Sequence, residues 1–238
     1  MSEDKWIMHG KSLDDPDRIK STAELTEYVN TLGFLPLFRN EIAGFSLEEN
    51  AATESWWTGD PENDPWEWRE IIAREGNIAY GKFFGKKAGF ISKEYFPFFA
   101  NYRRDGYDFD SLYEDGKARE RSNKIMCLFE SNERLFTTEI KSMAGFCKGG
   151  ERNFGGIITE LQMQTYLVCA DFKCRTSKKG SEYGMRIAIM TTPESLWGYD
   201  LVASAYSEAP AQSFERLVSR MKTVFPDTDE LILKKFLK

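Results

Sequence analysis

The succession of two periodicities does most to limit what this chain can fold into. Apolar residues at Phe154, Ile157, Ile158 and Leu161 follow the i, i+3, i+4, i+7 spacing of one helix face. Directly after them, TYLVCADFKCRT and MRIAIMTT read as strands on either side of SKKGSEYG, a Gly-containing turn tipped with lysines. Two further helical patterns come first. KARERSNKIMCLFESN puts Ile125, Leu128 and Phe129 on one face, and LFTTEIKSMAGF is capped at Thr137 or Thr138 and closed by Gly145. Three helices leading into a two-stranded hairpin is the order of a winged helix, the fold expected for residues 117–192.

The flanking segments make the whole an α+β chain. Residues 1–20 are expected as a flexible leader, and 21–116 as an aromatic-rich N-terminal α+β region. There Ser21 and Glu24 form a capping box, Leu25, Tyr28, Val29 and Leu32 share a helix face, and Gly33 ends the run. NIAYGKFF and KAGFIS straddle Gly85-Lys86 as a hairpin. Trp56, Trp57, Trp66 and Trp68 could offer a stacking surface, but a small core filled with large rings is the favoured reading, because buried aromatics are the default. Residues 193–238 are expected as a C-terminal helical region, with Phe214, Leu217, Val218 and Met221 on one stripe.

No apolar run approaches the roughly 20 residues of a membrane-spanning helix, and the N-terminus lacks the layout of a signal peptide, so a cytoplasmic protein is expected. The four cysteines, Cys127, Cys147, Cys169 and Cys174, include no C-x-x-C pair, and His9 is the sole histidine. Neither a metal nor another cofactor is expected, and hydrolysis with a histidine base is disfavoured.

Charge is unevenly spread. The chain carries −6, yet residues 117–192 hold 13 Lys and Arg against 8 Asp and Glu, about +5, which leaves about −11 elsewhere. Lys148 and Arg152 lie at the start of the third helix. Lys173, Arg175, Lys178 and Lys179 lie on the wing or its strands. These six are the candidate phosphate-binding residues, with double-stranded DNA as the expected partner. The wing lysines would equally serve solubility on an exposed turn. Gly149, Gly150, Gly155 and Gly156 bracket the same helix start. Close backbone approach to phosphate would explain them, as would a simple loop before a late-starting helix.

Gln162-Met163-Gln164 is the remaining motif. Residues two apart on a helix point about 200° away from each other, whereas on an extended chain they share a face. The two amides can act together only if the third helix ends near Leu161. Otherwise Gln162 caps backbone carbonyls and Gln164 is a solvent-side residue.

LQMQTYLV, YGMRIAIMTTPESLWG, LGFLPLFRNEIAGFS, PWEWRE, AYGKFFGKKAGFIS and FANYRRDGYDFD occur in an arrangement that resembles the bacterial proteins labelled AlkZ-related, over roughly residues 23–225. Their better-understood relatives are AlkZ-type DNA glycosylases, which excise alkylated or crosslinked purines. Those enzymes use two glutamines, or a glutamine and an aspartate, around one apolar residue. The resemblance implies a DNA-binding winged-helix protein that hydrolyses the N-glycosidic bond of alkylated bases. Gln162 and Gln164 would then be the catalytic residues that position water. The alternatives are a non-enzymatic winged-helix regulator whose N-terminal region binds a ligand or partner, and a protein-interaction module.

Overall fold

The computed structural model describes residues 8–177 and 180–238. Helix α1 (Thr22–Leu32) begins where Ser21 Oγ accepts from the Glu24 N–H, and ends at Gly33, whose φ of 97° suits glycine. Its Leu25 and Val29 are buried, as their spacing predicts. Residues 8–20, expected as a mobile leader, lie against the helix α2 (Leu47–Asn50) and the residues after it, with bridges Lys11–Ala52 and Ile19–Ala51. Met8 and Ile19 are buried there.

Strand β1 (Phe34–Pro36) precedes α2, and α3 (Pro65–Glu75) follows it, with Asp64 capping α3 by accepting from the Trp66 N–H. Strands β2 (Ile78–Phe84) and β3 (Lys87–Ser92) form the expected hairpin. Gly85 and Lys86 both take positive φ, 55° and 67°, as a tight two-residue turn between twisted strands demands. Helices α4 (Phe96–Arg104) and α5 (Phe109–Glu114) complete this half.

From residue 120 the order is α6 (Glu120–Met126), β4 (Leu135–Phe136), α7 (Thr137–Met143), α8 (Phe154–Met163), β5 (Val168–Thr176) and β6 (Glu182–Thr191). Helix α7 starts at Thr137, one residue earlier than a Thr137 cap allows and two earlier than a Thr138 cap. Phe136 is its N-cap, and Glu139 reaches back to accept from the Phe136 N–H at 2.9 Å. The short α9 (Pro193–Trp197) and α10 (Tyr199–Val202) lead to α11 (Pro210–Val224) and α12 (Glu230–Leu237).

All six strands form one antiparallel sheet in the order β1-β3-β2-β5-β6-β4. One transverse row crosses it through directly paired residues: Leu35, Phe90, Tyr80, Cys169, Met190 and Leu135. Directly opposed residues in an antiparallel sheet point to the same side, so this row joins the two hairpins through Tyr80 and Cys169. The tryptophans mostly fill the core, since Trp56 and Trp68 are buried and Trp66 is half-buried, with Trp57 exposed. The last helices close over the N-terminal rings: Phe45 meets Phe225 and Phe236 at centroid distances of 5.0 and 5.4 Å. On α11, Leu217, Val218 and Met221 are buried, while Phe214 packs on Tyr102 of α4 at 4.5 Å. Among the described residues no helix is long and apolar enough to cross a membrane.

Candidate functional site at the seam of the hairpins

Helix α8 continues to Met163 and takes Gln164 as its C-cap, so it does not stop near Leu161. The two glutamines therefore leave the backbone on different sides. Gln162 is 7% exposed and faces β2. Its Oε1 accepts from the Lys82 N–H and its Nε2 donates to the Ile158 carbonyl, both at 3.0 Å. The second bond is the backbone capping considered as the alternative role for this side chain. Gln164 is half-buried. Thr165, at φ 65°, turns the chain out of the helix, and its N–H donates to the Gln162 carbonyl. The hairpin also holds Met163, whose Sδ accepts from the Lys86 N–H.

Gln162 lines a cavity of about 230 Å³ between α8, α3 and the middle of the sheet; Gln164 does not line it. Cys169 and Tyr80 of the transverse row form part of its wall, and so does Phe172. Strict strand alternation would put residues 169 and 172 on opposite faces. A bulge between Cys169 and Asp171 changes that parity, since Cys169 pairs with Met190 and Phe172 with Ala188. Arg69 comes to the cavity from α3, 7% exposed. Its guanidinium lies 3.8 Å from the Trp66 ring centroid and 4.4 Å from that of Phe172. Its Nη2 donates to Glu70 at 3.0 Å. Glu70 and Glu67 are in turn bridged by Arg186 from β6, which ties the ribbon to α3.

The titration states follow from burial. Desolvation raises the Tyr80 phenol and keeps it a donor, and it pushes the Cys169 thiol up to about 12. Burial likewise holds the Glu70 carboxyl above its ordinary value, against the pull of Arg186 and Arg69. None of the residues lining the cavity is a carboxylate or histidine.

The candidate phosphate contacts that are described lie in the loop before α8 and on β5. Lys148 and Arg152 are exposed in the loop before α8, and Arg175 is exposed on β5; none has an ion pair among the described residues. Lys173 is drawn to Asp171 at 3.5 Å, where Arg74 already pairs at 2.9 Å. Lys178 and Lys179 lie outside the described residues. The glycines divide. A Cβ on Gly150 would meet the Gly145 carbonyl oxygen at 2.2 Å, a local packing reason, whereas Gly155 opens to space with nothing within 4 Å. Among the described residues no group of three or more His, Cys, Asp or Glu could hold a metal.

Sequence reasoning missed Arg69, Tyr80 and Phe172. A charge at the i+3 position from Trp66 on a core-facing helix stripe was a readable signal for Arg69. Phe172 gave none, because a bulge is not written in alternation.

A family model described as "AlkZ related" matches residues 19–238, nearly the whole chain. The chain belongs to the AlkZ-related family. No curated protein and no solved structure matches it.

Proposed function

We propose that this AlkZ-related protein binds duplex DNA through a winged helix built from α6, β4, α7, α8, β5 and β6. The observation that carries the reading is the strand pairing. A two-residue β4 lies antiparallel on β6, and β6 on β5, which gives the ribbon the short first edge strand that a winged helix carries. Exposed Lys148, Arg152 and Arg175 near the α8 start and on the ribbon suit phosphate contact. The second half of α8 is covered by β2, which leaves its first turn and the preceding loop for the groove. Backbone contacts then outweigh base readout.

The test is binding to undamaged duplex across a salt series. Each phosphate contact adds roughly 0.9 to the slope of log K against log salt. The triple variant Lys148→Glu, Arg152→Glu, Arg175→Glu should lower that slope by about 3 and weaken binding to all sequences alike. No binding by the wild type at low salt would end the reading in favour of a protein-interaction module.

Family membership and Gln162 favour a second, hydrolytic reading, glycosylase action on alkylated bases. A carboxamide has four hydrogen-bonding positions, and Gln162 uses two, so one N–H and one lone pair are left to orient water. In this reading Gln164 joins only when the last turn of α8 opens. Gln162→Ala or Gln164→Ala should then abolish release of N7-alkylated purine and leave DNA affinity intact. Wild-type protein that frees no base from alkylated duplex removes this reading alone.

A further inference from the structure

Arg69 brings a positive charge into the core, and one of its donors is idle. Nη2 is engaged by Glu70, but the Nε–H has no hydrogen-bond partner although the atom is buried. Buried donors are nearly always satisfied, and an exception on a charged group calls for an occupant. The cavity that Arg69 lines has the chemistry to receive one. Tyr80, Thr137 and the second N–H of Gln162 add donors. No carboxylate lines it, and Glu70 holds only the Nη2 of Arg69. The rest of the wall is flat or apolar, from Phe172, Ile158 and Met190. At about 230 Å³ the space equals roughly eight waters' share of the liquid, enough for one ring and a small substituent.

We propose that this cavity binds a small aromatic carboxylate, its ring among Phe172, Ile158 and Met190 and its carboxylate against the Arg69 guanidinium. A cation in low dielectric favours a charged acceptor over a neutral one. A phosphate would ask for more donors than the apolar wall supplies. Arg69 also disfavours a positively charged occupant, so this preference is opposite to that of the hydrolytic reading. It does not depend on DNA binding.

The experiment is calorimetry and thermal unfolding of the full chain with benzoate, benzamide and benzamidine, which share a ring and differ in charge. Benzoate at about 100 times its Kd should raise Tm by roughly 5 °C. Benzamide should bind at least tenfold more weakly, and benzamidine should give no shift. Arg69→Met risks the fold, so the deciding variant is Ala188→Leu, which fills the cavity from β6 and leaves Arg69 intact. It should keep its Tm and lose benzoate affinity at least tenfold. Equal shifts from all three probes, no benzoate binding, or unchanged affinity in Ala188→Leu each overturn the proposal.

Discussion

The Lys82 N–H donates to the Gln162 carboxamide oxygen at 3.0 Å, across 80 residues of sequence. This bond fastens the covered half of α8 to the N-terminal hairpin. Gln162→Leu removes that acceptor and leaves the Lys82 N–H unmade in a partly buried place. The expected loss is about 1–3 kcal/mol by urea unfolding. Gln164→Leu, at the half-buried cap, should stay within about 0.5 kcal/mol. Equal losses would mean that the carboxamide does not hold the seam.

Arg104 plays a comparable part at the other end of the same turn. It is 2% exposed, donates from Nη2 to the Thr165 carbonyl at 2.7 Å and from Nε to Thr165 Oγ1 at 3.2 Å, and pairs with Glu194 through Nη1. Its ring contact is Tyr166, 4.4 Å to the centroid. The fork thus clamps a residue held at φ 65°. Arg104→Met should cost about 3–5 kcal/mol, because Glu194 and the Thr165 carbonyl lose their partner together. Arg104→Lys keeps the charge without the fork and should recover only part of the loss in the same unfolding measurement.

These two clamps also mark where the letters stop being informative. Helix α1, its Ser21 cap, the Gly85-Lys86 turn and the α8 stripe were legible because each depends on neighbours within a turn or two. The fate of Gln162 was not, because its partner is a backbone group 80 residues away that no side-chain pattern encodes. Phe172 was hidden by the bulge at Asp171, and the α7 start by a Glu139 bond to a phenylalanine backbone. The basic character of the β5–β6 segment was legible as composition. Its pairing of Lys173 with Asp171 and of Arg186 with α3 was not, since charge counts do not say which acids fold back onto which bases.

Asp171 gives the fold an acid-sensitive contact. Burial works to raise its carboxyl, but the Phe172 N–H at 2.8 Å and the Arg74 guanidinium at 2.9 Å outweigh that and hold it below the ordinary value. A carboxyl depressed in the folded state contributes stability above its unfolded value, about 3.9, and loses it as pH falls through the folded one. Asp171→Asn should therefore be less stable than wild type at pH 7, modestly so because Arg74 is half exposed. The difference should vanish by about pH 2, read as converging urea midpoints. Glu70, raised by burial, has the opposite sign: its contribution is present at low pH and is lost as pH rises through its folded value.

The four free thiols should react in an order set by the sheet. Cys147 is exposed and should label first with an alkylating reagent. Cys127 is also exposed, but partial burial and then Glu130 raise its thiol, so it should follow more slowly. Cys174 is half-covered and donates to the Gly184 carbonyl. Cys169 is buried in the row between Tyr80 and Met190, and its thiol is pushed up to about 12. At pH 8 its thiolate fraction is about 1 in 10,000, before any allowance for access. Intact-mass labelling of the native protein should thus add to Cys147 and Cys127 early and to Cys169 only in denaturant. Early labelling of Cys169 would report either that the reagent enters the cavity it lines or that β2 parts from β5 in the native state.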